Sequence, residues 1–294
     1  MDVVMQYVDE YFFDSVYLSV SALTGTPYLD RANLIRVFCS LFVFIMSYIV
    51  LFYLGTAGLE YYFIYDKDNF KHPKFLKDQV RMEISTSLKA FPTITILTIP
   101  WIYMEINGYT QLYDDPFKYG IGYLILSPVL FILFTDFLIY WVHRILHHPL
   151  FYVRFHKLHH KWVVCTPFAS HAFDPIDGFM QSLPYHLATI AFPIHKYLFL
   201  VLFAFVNVWS VLIHDGNYLS NNPVINGAAH HTLHHTKFNF NYGQFTTLFD
   251  RMFGSHMRPG ASVYNPDIRK SKAHIEKENL DIDRMLKIVD PVNI

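Results

Sequence analysis

The stretch Tyr119–His148, YGIGYLILSPVLFILFTDFLIYWVHRILHH, joins a long apolar run to a cluster of imidazoles. As far as Val142 it is uncharged except for Asp136, and as a helix it is long enough to cross a hydrocarbon core of about 30 Å. His143 and His147 then fall four residues apart, on one helical face at the end of the span. Tyr140 and Asp136 lie one and two turns before His143 on roughly that face. A carboxylate at membrane depth needs a partner, so Asp136 is expected either to orient an imidazole through its second nitrogen or to join two helices. Tyr140 is read beside it.

Two more apolar stretches precede this one. Residues Val37 to Leu59 carry no charge, and Ile84 to Met104 carry only Lys89, near one end. The loops decide the orientation. Lys67, Lys71, Lys74, Lys77 and Arg81 follow the first span, and Arg144, Arg154, Lys157 and Lys161 follow the third. Glu105, Asp114 and Asp115 follow the second against Lys118, and the N-terminus is acidic. The positive-inside rule therefore expects 60–83 and 143–162 in the cytosol. Leu183 to Ile194 and Tyr197 to Ile213 read as a helical hairpin turning near Pro193, and its depth in the membrane is left open. The N-terminus has no basic region and does not read as a cleaved signal peptide. The expectation is an all-α integral membrane bundle, three spans plus a helical hairpin, with a cytosolic histidine-rich di-metal domain. By region, 1–142 is a membrane anchor, 143–260 a histidine-box catalytic domain that includes the hairpin at about 183–213, and 261–294 a polar cytosolic tail.

The composition agrees with a lipid-facing surface: 53% of the 294 residues are hydrophobic and only 16% charged, against about 25% charged in soluble domains. A net charge of -1 offers nothing to a nucleic acid. Cys39 and Cys165 form no metal-binding spacing and read as free thiols. Of the 17 histidines, ten fall in the windows 143–160 and 230–235.

Helical spacing groups His143 with His147, His156 with His159 and His160, and His231 with His234 and His235. One metal needs three or four such ligands, so eight convergent positions suit two adjacent ions. Imidazole serves zinc, copper, iron and nickel alike, and the ligand type leaves the metal open. His148 and His230 sit one position off these faces. His214 and His171 are weighed as further ligands or as structural groups, and Asp250 as a residue that orients a ligand. His186 and His195 read as equally open, and His72, His256 and His274 as surface residues. A proton relay would place histidines along the third span rather than beyond it. A zinc protease would need HExxH, and no such motif occurs.

The order HxxxH, HxxHH, HxxHH resembles the fatty acid hydroxylase superfamily of membrane di-iron enzymes. The strings KHPKFLKDQV (71–80), YWVHR (140–144), TPFASH (166–171), PIDG (175–178), QSLPYH (181–186) and NYGQ (241–244) make it look like the sterol C5-desaturases, over roughly 11–255. The resemblance implies an enzyme of the endoplasmic reticulum membrane that removes two hydrogens from C5 and C6 of a Δ7-sterol. It implies two iron ions (zinc being a possible substitute in purified protein), O2, and electrons from NAD(P)H through cytochrome b5 and its reductase. His143, His147, His156, His159, His160, His231, His234 and His235 match the box ligands. Family members commonly carry histidine where this chain has Asp174, so Asp174 is read as a metal ligand, as a group that holds a ligand by a hydrogen bond, or as the mark of a shifted substrate or an altered metal site. Alternatives within and beyond the superfamily are a hydroxylase or methyl oxidase acting on another lipid, and a non-catalytic zinc-binding membrane protein.

Overall fold

The computed structural model describes residues 2–289, so the last residues of the expected tail, 290–294, lie outside it. The chain folds into helices: α1 (Asp14–Thr24), α2 (Leu34–Phe63), α3 (Gln79–Ile106), α4 (Gly120–Leu146), α5 (Pro175–Ala191), α6 (Lys196–His214), α7 (Ala228–Lys237) and α8 (Lys272–Val289), with shorter turns between them. The paired strands are two residues each: β1 (Leu112–Tyr113) runs parallel to β2 (Ile194–His195).

Local sequence sets the helix starts. Asn33 caps α2 by accepting from the Ile35 and Arg36 amides at 3.0 and 3.3 Å. Asp174 caps α5 by accepting from the Ile176 amide at 2.9 Å, with Pro175 in the first helical position. Proline is tolerated there because that amide has no intrahelical partner.

Among the described residues, α2, α4 and α6 are long and apolar enough to cross a membrane. The three expected spans lie in α2, α3 and α4, but α3 is not one of these three apolar helices. Its polar residues explain the difference: Gln79, Glu83, Ser87, Thr95, Thr98 and Glu105 are buried, with α3 packed against α2 and α5. Gln79 donates to Glu83 at 2.7 Å and to the Val164 carbonyl at 2.8 Å. Tyr53 of α2 accepts from Ser87 of α3 and donates to the Phe168 carbonyl, at 3.0 and 2.8 Å. α3 thus turns a polar face inward, and Gln79, Glu83 and Ser87 on it are hydrogen-bonded within the protein.

The first hairpin arm is longer than its apolar run, because the helix continues back through a polar turn to Asp174. The hairpin turn joins the loop between α3 and α4. The Gln111 amide donates to the Thr189 carbonyl at 2.7 Å, and Leu112 pairs with Ile194. The turn therefore lies at the end of the bundle opposite the histidine clusters. Phe131 and Ile139 of α4, Tyr185 and Ala188 of α5 and Phe199, Leu202 and Val206 of α6 share one core between this turn and the histidine end. At the other end α8 packs on α7, with Lys237 on Asp281 at 3.3 Å and Lys74 on Asp283.

Candidate metal centre

Three pieces of backbone deliver the imidazoles. The end of α4 supplies His143 and His147. A π-helical turn, Tyr152–His156, runs into a 3-10 turn, His159–Lys161, and these supply His156, His159 and His160. The third piece, α7, supplies His231, His234 and His235, and His214 arrives on the last residue of α6. The middle cluster is not one α-helix, and this change of pitch sends its histidines two ways. His156 and His160 face one group, and His159 faces the other.

The result is two groups in which the candidate ligand atoms lie within 4.8 Å of one another. One holds His143, His147, His156, His160 and His234, and the other His159, His214, His231 and His235. In the first group Nε2 of His143 is 3.2 Å from that of His156, and Nε2 of His147 is 3.1 and 3.2 Å from those of His160 and His234. In the second, His231 Nε2 is 2.9 Å from His214 Nε2 and 3.1 Å from His235 Nε2, and His214 is 3.3 Å from His159. Adjacent nitrogens each about 2.1 Å from one ion in octahedral or tetrahedral geometry are separated by about 3.0 to 3.4 Å. The spacing fits one ion in each group.

The far nitrogens explain why the lone pairs point inward. Nδ1 of His143, His234 and His214 donates to the carbonyls of Tyr242, Phe240 and Ser210, at 3.0, 2.8 and 2.6 Å. Nδ1 of His156 donates to Asp177 Oδ2 at 2.8 Å, and Gln181 donates to the other carboxylate oxygen at 2.7 Å. Each bond selects the tautomer that turns Nε2 toward the group's centre. Burial, reinforced by neighbouring imidazoles, holds His147, His159, His160, His231 and His235 well below the ordinary 6.5, and His234 at about 3. These rings are therefore neutral at pH 7, the state in which imidazole can bind a metal.

All eight box histidines fall in these groups, together with His214. The other candidates lie elsewhere. His171 belongs to neither group; its ring faces Ser170 and Asn207. Asp174 caps α5 and touches no imidazole in the structure's hydrogen bonds, so the histidine-to-aspartate departure falls on a helix start. Asp136 does not orient an imidazole directly. Its carboxylate accepts from the Gln244, Phe245 and Thr246 amides at 2.8, 2.9 and 3.1 Å and from Thr246 Oγ1 at 2.5 Å. Asp250 accepts from the Tyr242 and Gly243 amides at 2.8 and 2.9 Å and from Ser255 at 2.8 Å. Together they pin the 242–246 loop, whose Tyr242 carbonyl holds His143. Tyr140 reaches Ser255 at 2.9 Å and accepts from Arg144 at 2.5 Å, bracing the same loop. His186 meets Glu105 at 3.1 Å and His195 meets the Asp114 carbonyl at 2.9 Å, both away from the centre. His72, His256 and His274 are half-buried rather than fully exposed.

Asp177 was missed by the sequence reading as a site residue, although it lies in the quoted string PIDG. It is fully buried and directly contacts a metal-facing imidazole.

A cavity runs between the helices to the imidazoles. Its walls include Tyr48, Ile49 and Phe52 of α2, Thr98 of α3, Ile139 of α4, Tyr185 of α5 and Phe203 and Val206 of α6. It ends on His143 of the first group and on His159, His214 and His231 of the second. An apolar passage between the helices is thus lined at one end by residues of both imidazole groups, each of which could hold a metal ion.

Comparison with known proteins narrows the class. The fatty acid hydroxylase family model matches residues 128–255. The Delta(7)-sterol 5(6)-desaturase erg31 of Schizosaccharomyces pombe is 48% identical over 290 residues, which is 99% of this chain and 95% of that protein. The Delta(7)-sterol 5(6)-desaturase of Eremothecium gossypii is 43% identical, covering 99% of this chain and 97% of its own. For ERG3 of Saccharomyces cerevisiae the identity is 46%, over 95% of this chain and 76% of that one. No solved structure matches. The chain belongs to the family of Delta(7)-sterol 5(6)-desaturases, within the fatty acid hydroxylase group.

Proposed function

We propose that the protein introduces the C5–C6 double bond into a Δ7-sterol during sterol biosynthesis, using two iron ions, O2 and electrons from NAD(P)H. The observation that carries this reading is the cavity that opens between membrane helices and ends on both imidazole groups. The long identity to sterol desaturases supplies the substrate class. We further assign the histidine end of the bundle to the cytosol, from the loop charges, and the membrane to the endoplasmic reticulum. Cytochrome b5 and its reductase are the proposed electron donors.

His143, His147, His156, His160 and His234 would hold one ion, and His159, His214, His231 and His235 the other. Bound iron would activate O2, the oxidant that takes hydrogen from an unactivated carbon. The chain's own residues set the geometry. Carbonyls and Asp177 fix the tautomer of His143, His156, His214 and His234, and the loop pinned by Asp136 and Asp250 supports His143 through the Tyr242 carbonyl. Tyr48, Phe52 and Phe203 present an apolar wall that a sterol ring system can cover, and such burial stabilises by about 25 cal/mol per Å². Dehydrogenation rather than hydroxylation then depends on which substrate carbons are held next to the metal-facing ends of His143 and His159.

The test is anaerobic ferrous reconstitution of the purified protein, then O2, NADH, cytochrome b5 with its reductase, and lathosterol. The expected product is the 5,7-diene. An alcohol would move the protein to the hydroxylases, and zinc binding without oxygen uptake or lipid change would overturn the enzyme reading.

A further inference from the structure

One polar pair on the cavity wall is not used in holding metal. His171 closes the 3-10 turn Pro167–His171 and is 9% exposed, and Asn207 lies on α6; both line the cavity. His171 Nε2 and Asn207 Oδ1 face each other at 3.4 Å.

With the Ser170 hydrogen on the Pro167 carbonyl, the shorter of its two contacts, this pair lacks a donor. Ser170 Oγ lies 2.8 Å from the Pro167 carbonyl, which can only accept, so the hydroxyl's single hydrogen goes there. Ser170 Oγ must then accept from His171 Nδ1, 2.9 Å away. Burial pushes the His171 pKa down to about 4, so the ring has one proton, and Nε2 carries a lone pair. Asn207 Nδ2 donates to the Phe203 carbonyl at 2.7 Å, which fixes the amide with Oδ1 toward His171. Two acceptors therefore meet on the cavity wall. Aromatic rings surround them, with Tyr53 5.1 Å and Phe173 6.0 Å from the imidazole. A neutral O–H between the two acceptors suits such a site better than a cation, which would need more ligands.

The position along α6 is informative. Asn207 precedes His214 by seven residues, two helical turns on nearly the same face, or about 10 Å of rise. A lipid hydroxyl bound at Asn207 would place carbons a few bonds away between that point and the imidazole group. In a Δ7-sterol the 3-hydroxyl oxygen is three bonds from C5. Resting on the proposed function, we propose that His171 and Asn207 form the subsite that accepts the sterol 3-hydroxyl hydrogen and so selects the carbons presented to the metal-holding histidines.

The test uses the full chain in lipid vesicles with a Δ7-sterol, its 3-deoxy analogue and its 3-O-methyl ether. The wild type is expected to prefer the free hydroxyl in kcat/KM by on the order of 100-fold, since an analogue lacking it leaves a buried acceptor unpaired. Asn207→Leu and His171→Phe are expected to bring that ratio to within a few-fold of one, whereas Asn207→Asp, which keeps an acceptor, retains it. A wild-type ratio near one overturns the subsite without need of any variant. A wild-type ratio preserved in Asn207→Leu, with both substrates slowed equally, overturns it too and marks the residue as structural. Turnover of none of the three sterols by the iron-loaded wild type would instead overturn the functional reading, and the subsite with it.

Discussion

At the scale of single residues, the centre depends on which nitrogen each imidazole presents. Asp177 is the clearest case, because its carboxylate alone fixes the Nδ1 proton of His156. Asp177→Ala is expected to lower activity and iron affinity by roughly 10- to 100-fold, as loss of such outer hydrogen bonds does at other metal sites. Metal content measured beside turnover checks it; unchanged iron binding and turnover would refute the role. His159→Leu is expected to abolish activity, and His274→Leu to leave it near wild type. Equal activity in both would remove the ligand assignment. The eight box histidines were legible in sequence as three clusters, but their division into two groups was not, because the middle cluster leaves α-helical pitch and turns His159 away from His156 and His160. Asp177 was not, since a buried carboxylate and a solvated one have the same letter. Asp174, three residues earlier, drew attention by its departure from the family pattern and is a helix cap.

At the scale of elements, the 242–246 loop does more than its irregular sequence suggests. It has no periodicity to read, and its shape comes from two carboxylates, Asp136 on the distant α4 and Asp250 on the short helix Leu248–Met252 that follows the loop. A Cβ at Gly243 would meet the Thr246 carbonyl at 2.5 Å and Asp250 Oδ2 at 3.0 Å, so only glycine lets this backbone approach the carboxylate. Asp136→Ala would leave three amides and a hydroxyl without their acceptor. Hydrogen bonds to charged groups contribute about 1.5–3 kcal/mol each, and the net loss is expected to be about 3 kcal/mol or more. Thermal denaturation in detergent measures it, and a shift of less than a degree would contradict the anchoring role. The same contrast explains α3: the sequence marks a span there from its apolar run, but the helix turns polar residues such as Glu83 and Glu105 inward and is less apolar than α2, α4 and α6. The hairpin's two arms were legible, whereas its depth rested on Gln111 and the β1–β2 pairing, contacts no local pattern announces.

At the scale of the whole molecule, the neutral imidazoles tie stability and metal binding to pH. His234 has a folded pKa of about 3, against 6.5 when solvated, and its clustered neighbours are lowered in the same direction. The unfolded chain therefore binds protons that the fold refuses, so metal-free protein loses stability as pH falls from about 6.5 toward 3. Iron loading should weaken over the same range, because each ligand must be unprotonated. Melting temperatures of chelator-treated and iron-loaded protein between pH 7.5 and pH 5 check both; a chelated melting temperature that rises on acidification would contradict the neutral-imidazole account. The central claim, that this cavity and its two imidazole groups desaturate a sterol, is tested most directly by product analysis. In cells lacking their own sterol C5-desaturase, expression of the wild-type chain is predicted to convert the accumulated Δ7-sterol into its 5,7-diene, and His159→Leu to leave it unconverted. An alcohol product, or an unchanged sterol profile with the wild-type chain present in the membrane, would contradict it.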